Sequence, residues 1–389
     1  MIRKIIIILF VIIILLPLIM YVAWVLMPQT KLNVLILDKT VLSTKTQEHI
    51  SLTWVLNHEK YVHSDSGVYN HKMHYTGFFP DDKGNYSIRD FNKYDKVELQ
   101  KLASKNDVLY YADLYGIYSS EWIATYFPER VKDTQFISKQ SKLYYGGLSK
   151  NELELLRIFK QQKKLIINEF NIIANPTNYN IRKAYEKEFG IRWTGWVGRY
   201  FDSLDTLTNL DLPRGLIKSY LVQHNGNWPF KKSGIAFVRE DDKVEILENK
   251  THLEVEVPFI YTDKTVARKY DVRKKMKYAF WFDIISVTDT THRVLSAYLI
   301  EPNLKGDSLL RKWNIPSRFP ALVTDKNELY YYLAGDFGDN PIELQSAKFR
   351  GIDWFSFITA SNEKAERVSF FWQYYRPFLM TVLEDYSKK

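Results

Sequence analysis

The chain has 389 residues, a net charge of +9 and no cysteine. Without cysteine, disulfides, thiolate metal sites, a lipoprotein anchor and a cysteine nucleophile are all excluded. The 54 lysines and arginines are scattered among 45 acidic residues, and no basic tract alternates with aromatic residues, which argues against nucleic acid as a partner.

Residues 5–27 form an uncharged apolar run, which predicts a helix. At about 1.5 Å per residue the helix is roughly 35 Å long, enough to cross a bilayer. Arg3 and Lys4 precede it, so we expect a single-pass membrane protein whose N-terminus is cytoplasmic and whose bulk is extracytoplasmic. The alternative is a cleaved signal peptide, but its apolar region is normally shorter and ends at a small-residue cleavage site.

Strand and helix patterns alternate after this run and then give way to a strand-rich region. The predicted fold class is α/β, with a mainly parallel, flavodoxin-like sheet that carries helices on both faces. We expect a tip and anchor over 1–30, an α/β domain over 31–225, a β-rich insertion over 226–318, and closing strands with a C-terminal helix over 319–389.

Three of the predicted strands end in acidic residues. The first ends at Asp38, the second at Asp113, and the third runs into Glu169, which Asn171 follows closely. In parallel sheets, ligands bind beyond the carboxyl ends of the strands. The sequence therefore predicts that these side chains lie at one ligand-binding edge. The alternative is that the acids cap neighbouring helices or pair with arginine.

One stretch has glycine and leucine at Gly146-Gly147-Leu148, then an acidic helix with a capping box from Ser149 to Glu152, then a strand passage from Lys163 to Glu169. It is followed later by what reads as a closing strand pair, Phe319 to Val323 and Leu329 to Asp336. This order resembles the class I glutamine amidotransferase-like superfamily, in the non-catalytic branch related to trehalose-utilisation proteins, in patches over about half of the chain. The resemblance implies an amidotransferase-like fold. Because that superfamily's cysteine nucleophile is missing and no G-x-S-x-G turn replaces it, we expect no glutamine hydrolysis.

Aromatic and acidic residues follow the second of these strands. Tyr115 and Tyr118 have rings that can stack on sugars, and Glu121 lies just beyond them. Two converging carboxyl groups, those of Asp113 and Glu169, can serve as the general acid and base of a glycoside hydrolase. A binding cleft without catalysis is the alternative.

The segment 192–202 combines tryptophan, glycine and arginine. Indole faces favour sugars and cations, so Trp193, Trp196, Arg199 and Asp202 are candidate ligand-binding residues. A well-packed structural corner explains the same composition.

Gly335 to Asn340 is rich in acid and glycine. Asp336 is a further candidate ligand-binding residue, and Asp336 with Asp339 can offer oxygens to a hard cation, although a plain turn explains the segment equally well. His58 and His63 resemble the H-E-x-x-H zinc motif but are one residue too far apart to share a helix face. We therefore expect no metal and no cofactor.

These observations predict a membrane-anchored, extracytoplasmic binding or assembly module of the cell envelope. Its expected partners are the lipid bilayer through residues 5–27, an envelope polysaccharide or other glycan, and other membrane proteins. Two alternatives remain: a glycoside hydrolase that uses Asp113 and Glu169, and a scaffold for envelope proteins at the membrane surface.

Overall fold

A computed structural model of the chain describes residues 2–45, 47–132, 141–359, 364 and 367–388. The helices are α1 (Ile2–Leu26), α2 (Ile50–His58), α3 (Lys96–Lys105), α4 (Ser119–Tyr126), α5 (Lys150–Gln161), α6 (Tyr179–Phe189), α7 (Arg214–Gln223), α8 (Lys264–Lys269), α9 (Leu304–Lys312), α10 (Ser356–Thr359), α11 (Arg367–Phe370) and α12 (Arg376–Ser387). A π-helical turn, Phe371–Tyr375, joins α11 to α12, and shorter 3₁₀ turns cover Pro128–Lys132, Leu344–Lys348 and Ile352–Phe355.

The strands form a large mixed sheet, a smaller antiparallel sheet, a short three-stranded sheet and a two-stranded ribbon. They are β1 (Thr30–Lys31), β2 (Val34–Asp38), β3 (Tyr61–His63), β4 (Gly67–Val68), β5 (Thr76–Pro80), β6 (Tyr86–Arg89), β7 (Val108–Tyr111), β8 (Ile117–Tyr118), β9 (Leu143–Tyr145), β10 (Leu165–Asn168), β11 (Ile191–Phe201), β12 (Gly234–Arg239), β13 (Val244–Glu248), β14 (Phe259–Thr262), β15 (Lys275–Lys277), β16 (Phe282–Val287), β17 (Arg293–Leu299), β18 (Arg318–Thr324) and β19 (Tyr330–Leu333).

The large sheet has ten strands in the order β15-β14-β17-β18-β19-β10-β7-β2-β5-β6. Its neighbours from β19 to β5 are parallel, whereas the strands on either side of them are antiparallel. The fold is therefore mixed α/β, and the sheet is less parallel than predicted. The physical reason is that antiparallel neighbours such as β18 and β19 need only a short turn between them, whereas parallel strands need a crossover.

The smaller sheet has the order β13-β12-β11-β16 and is antiparallel throughout. The strand-rich region 226–318 contributes strands to both sheets, because β12, β13 and β16 join this one and β14, β15, β17 and β18 join the large one. A backbone bond from Asp283 on β16 to the carbonyl of Ala334, just after β19, connects the two sheets at 3.0 Å.

Helix α5 shows how a local sequence signal produces its element. The Ser149 hydroxyl accepts from the Glu152 amide, and the Glu152 carboxyl accepts from the Ser149 amide at 2.7 Å, so the predicted capping box is confirmed. Leu156 and Phe159 then bury one face of the helix. The buried Glu152 carboxyl also pairs with Lys39 at 2.8 Å, which ties α5 to the end of β2.

The last turns of α1 pack on the folded chain. Met20 and Trp24 are buried there. The Trp24 indole donates to the carbonyl of Asn57 at 3.1 Å, and the Lys60 ammonium lies 4.1 Å from the centre of a Trp24 ring. The C-terminal end of α1 is therefore packed against the rest of the folded chain.

No helix in the described portion of the chain combines the length and the apolar character that crossing a bilayer requires. The prediction of a membrane-spanning helix over 5–27, and with it a single-pass location with the bulk of the chain outside the cytoplasm, is therefore wrong. Near its C-terminal end, α1 packs the side chains of Met20 and Trp24 against protein and not against lipid.

Candidate functional site

The acidic residues predicted at strand ends lie along one edge of the large sheet. Strands β2, β7 and β10 are parallel neighbours, and β19 lies parallel to β10 on the other side. Asp38 ends β2, Asp113 follows β7 by two residues, Glu169 follows β10 directly, and Asp336 comes shortly after β19. Together with two acids from nearby loops they form a group that we call the carboxyl cluster: Asp38, Glu48, Asp113, Glu169, Asp336 and Asp339.

Asp38 is fully buried and has a structural set of partners. Its carboxyl oxygens accept from the amides of Thr40 and Glu48, and one of them lies 2.6 Å from His49 Nδ1. His49 Nε2 donates to the carbonyl of His71 at 2.8 Å. Asp38 therefore holds the loops around α2 in place and has little access to a ligand.

Glu169 is also enclosed, with only 2% of its surface exposed. The hydroxyl of Tyr110 donates to Oε1, and the amide of Gly338 donates to Oε2 at 3.0 Å. The hydroxyl of Tyr375 lies 2.7 Å from that of Tyr110 and extends the network. Burial raises the pKa of Glu169 well above its usual value, and the nearby negative charge of Asp336 adds to this. Both effects favour the protonated carboxyl group.

Asp113 is half-buried and lies closer to the surface. Its Oδ1 accepts from the amide of Tyr115 at 2.6 Å and from the side-chain amide of Asn171 at 3.2 Å. Burial raises the pKa of Asp113 well above its usual value, and the charges of Asp336 and Asp38 also raise it. These two hydrogen bonds lower the pKa but do not offset the rise. This carboxyl group is therefore held in place by protein donors on one oxygen.

A pair of tyrosines continues from Asp113 towards solvent. The rings of Tyr115 and Tyr118 have centroids 4.9 Å apart, and Tyr115 is 37% exposed. The Glu121 carboxyl accepts from the Tyr118 amide at 3.4 Å, which caps α4, and burial raises the pKa of Glu121. Glu121 thus supports the pair from behind, while the rings remain accessible.

The other half of the carboxyl cluster is organised by one arginine. Arg367 Nη2 lies 2.5 Å from Asp336 Oδ2, and Arg367 Nη1 lies 3.3 Å from Asp339 Oδ2. Its guanidinium carbon also lies 4.0 Å from the ring centre of Phe280. Arg367 therefore supplies positive charge to two of the acids at once.

Glu48 completes this half of the cluster. Oxygens of Glu48, Asp336 and Asp339 all lie within 4.8 Å of one another, a set that offers oxygen ligands to a hard cation. Arg367 already neutralises two of the three carboxyl groups. Burial raises the pKa of Glu48 well above its usual value, and the negative charges of Asp339 and Asp336 raise it further. Burial and the charge of Asp336 raise the pKa of Asp339 to about 6.

The tryptophans of the segment 192–202 do not join the carboxyl cluster. They lie in β11 and are enclosed by protein, with Trp193 and Trp196 both buried. The Trp193 indole donates to the Trp196 carbonyl at 2.8 Å, and the Arg182 guanidinium lies 4.9 Å from its ring centre. Their observed role is packing within the smaller sheet.

Arg199 and Asp202 have different environments. Arg199 pairs with Asp211 at 3.2 Å and lies 4.8 Å from the ring centre of Phe201. Burial lowers the pKa of Arg199, and the positive charge of Arg367 contributes to this, so Arg199 faces the arginine side of the cluster. Asp202 is exposed at the end of β11.

Sequence reasoning missed Glu48, Tyr110, Arg367 and Asp283 as parts of this region. Glu48 and Arg367 come from a loop and a helix far apart in the chain, and neither carries a local signal. Tyr110 lies within the apolar pattern of β7. Asp283 has a usable signal, since it is a single acid within the apolar strand β16.

The chain is similar in structure to two solved proteins of distant sequence. One is a ThuA-like protein from Bacteroides uniformis ATCC 8492, with 12% identity, a TM-score of 0.33, and coverage of 88% of this chain and 96% of the other. The second is a glutamine amidotransferase from Thermotoga maritima, with 8% identity, a TM-score of 0.38, and coverage of 92% and 99%. No protein-family model and no curated protein matches the chain. Both descriptions agree with the resemblance stated from the sequence, which concerns the fold and not activity, substrate or partners.

Proposed function

We propose that the protein is a carbohydrate-binding module without glutamine amidotransferase activity, and that Asp113 with the Tyr115–Tyr118 pair contacts the sugar. The observation that carries the proposal is the position of Asp113. It is a half-buried carboxyl group held by two donors, and Tyr115, two residues further along the chain, is partly exposed. Sugar hydroxyls donate to carboxyl oxygens, and the apolar face of a sugar ring stacks on an aromatic ring.

The surroundings of the carboxyl cluster support binding more than hydrolysis. A glycoside hydrolase needs two carboxyl groups that both reach the scissile bond. Glu169 is enclosed, and each of its oxygens already accepts one bond, from Tyr110 or from Gly338, so a substrate has little access to it. The enclosure of Glu169 therefore argues against the alternative pairing of Asp113 with Glu169 as acid and base.

The proposal is tested by presenting the full-length protein to a glycan array and measuring the affinity for bound glycans by titration calorimetry. We expect Asp113→Asn to weaken binding about 10- to 100-fold, because it replaces one carboxyl oxygen by an amide nitrogen, which cannot accept from a sugar hydroxyl. We expect Tyr115→Ala to weaken it about 3- to 10-fold, because it removes one stacking face.

Two matched variants serve as controls. Asp385→Asn changes an exposed carboxyl group on α12, and Tyr261→Ala removes a 44% exposed tyrosine on β14 at the far side of the large sheet. Both should bind as the unmodified protein does. Absence of binding to any glycan would overturn the proposal. Release of new reducing ends during the incubation would favour the hydrolase.

A further inference from the structure

Asp283 is a buried carboxyl group that the proposed binding contacts do not use. It lies on β16 of the smaller sheet, is fully buried, and is opposite Val197 of β11. Its amide donates to the carbonyl of Ala334, directly after β19 of the large sheet. Asp283 therefore sits where the two sheets meet.

The carboxyl group of Asp283 reaches out of its own sheet. Its Oδ2 accepts from the hydroxyl of Tyr332 on β19 at 2.8 Å and from the backbone amide of Asn171 at 3.2 Å. Asn171 has a φ of 60°, in the left-handed region that non-glycine residues rarely adopt without support. The bond from Asp283 is support of this kind.

The side chain of Asn171 connects Asp283 to the candidate site. Its amide nitrogen donates to Oδ1 of Asp113 at 3.2 Å, and Asn171 is itself buried. A continuous path of two hydrogen bonds therefore joins Asp283 in the smaller sheet to Asp113 at the edge of the large sheet.

The second carboxyl oxygen of Asp283 makes its burial unfavourable. Oδ1 is buried, and no group among the residues described here forms a hydrogen bond with it. Burying a carboxyl oxygen that has no hydrogen-bond partner destabilises the folded chain. Its neighbours Phe282, Ile284 and Ile285 are apolar, and an apolar residue at this position would avoid that cost.

We propose that Asp283 is the positioning residue of the candidate site, and that it fixes the backbone of Asn171 and through it the carboxyl group of Asp113. The inference rests on the proposed function, because Asp113 is taken as a ligand-binding group. The inference deepens that function in one respect. The smaller sheet supplies none of the proposed binding contacts, but through Asp283 it determines their geometry.

The ionisation of Asp283 gives the proposal a measurable signature. Burial raises the pKa of Asp283 from its usual value to about 7, against the lowering effect of the bonds from Tyr332 and Asn171. The titratable side chains around it are those of Tyr332, Tyr185 and Tyr298, whose pKa values are all raised. Above neutral pH the ionised carboxylate is the stronger acceptor for the Asn171 amide, and below it the protonated group is the weaker one.

The test is an NMR titration of the full chain with ¹⁵N-labelled asparagine between pH 5 and 9, and it needs no ligand. We expect the backbone amide and the side-chain amide of Asn171 to shift together with a midpoint near pH 7. In Asp283→Asn the backbone signal should lose this step near pH 7. The side-chain signal should then follow only Asp113, which accepts from it directly and whose pKa is also raised. Asn303, which caps α9 at the surface, is the internal control and should not follow this titration in either protein.

A second variant keeps the test decisive if Asp283→Asn does not fold. Tyr332→Phe removes the hydroxyl donor to Asp283, so the midpoint should move above that of the unmodified protein. A midpoint that is unchanged in Tyr332→Phe, or a backbone signal that titrates while the side-chain signal does not, would overturn the proposal. Because no sugar is present, a failure here is distinct from a failure to bind glycans.

Discussion

At the centre of the carboxyl cluster, the main chain at Gly338 passes very close to the buried side chain of Glu169. Gly338 donates its amide to Glu169 and passes beside the main chain of Glu48. A Cβ atom at this position would lie 2.8 Å from the Glu48 carbonyl oxygen and 2.9 Å from Glu169 Oε2. Only glycine lets the segment after β19 come this near, so this residue determines how the two halves of the cluster meet.

Gly338→Ala should therefore destabilise the protein by about 1–3 kcal/mol, the usual cost of overpacking an enclosed site. The measurement is the free energy of unfolding in urea. Gly215→Ala in α7 is the matched control, because a Cβ there meets no atom within 4 Å and alanine is the better helix former. Equal stability of the two variants would contradict this account of Gly338.

Helix α2 is held against the C-terminal part of the chain by its aromatic and histidine side chains. The Trp54 indole donates to the Ser346 hydroxyl at 2.8 Å. The buried His58 ring stacks on Trp54 at 4.5 Å, and its Nδ1 donates to the carbonyl of Ala347 at 2.9 Å. Burial lowers the pKa of His58 to about 4. This contact between elements therefore requires a neutral imidazole.

The packing of α2 should make stability depend on pH in a defined direction. Unfolding restores the pKa of His58 to about 6.5, so the unfolded chain binds the proton more tightly. The contribution of neutral His58 is complete above pH 6.5 and is lost as the pH falls towards 4. We expect the melting temperature of the unmodified protein to fall over this range more steeply than that of His58→Gln. Parallel curves for the two proteins would show that His58 titrates normally in the folded state.

The π-helical turn before α12 explains how a C-terminal element reaches the candidate site. It places Tyr374 and Tyr375 on the inner side, where both are buried. The Tyr374 hydroxyl donates to Ser296 at 2.6 Å, and the Tyr375 hydroxyl meets that of Tyr110. A π-helical turn shifts the register of the side chains that follow it, and such turns are frequent at functional sites.

At the scale of the whole molecule, α1 is tied to the folded chain at its C-terminal end. Trp24→Ala removes the indole bond to Asn57 and the contact with Lys60. We expect faster tryptic cleavage after Lys31, because the turn between α1 and β1 loses its anchor. Val25→Ala, at an exposed neighbouring position, should be cleaved at the original rate. An unchanged rate in Trp24→Ala would show that α1 docks through other contacts.

Local signals in the sequence predicted much of the strand and helix pattern and the edge where the acids meet. The apolar runs before Asp38, Asp113 and Glu169 predict buried strands, and each strand lies in the large sheet as expected. The capping box at Ser149 predicts the start of α5. These predictions are correct because each pattern involves residues close together in the sequence, and because a strand buried on both faces has a continuous apolar run. By itself, the lack of cysteine also excludes the amidotransferase nucleophile.

Only the tertiary structure decided which of these residues face a ligand and which are enclosed. Glu169 and Trp196 carry the same kind of signal as Asp113 and Tyr115, yet the first two are buried by segments distant in sequence. The pairing of Arg367 with Asp336 and the position of Asp283 likewise depend on strands and helices that meet only in the folded chain. A sequence specifies the chemistry of each side chain. Its exposure, its partners and its pKa are set by contacts between distant segments.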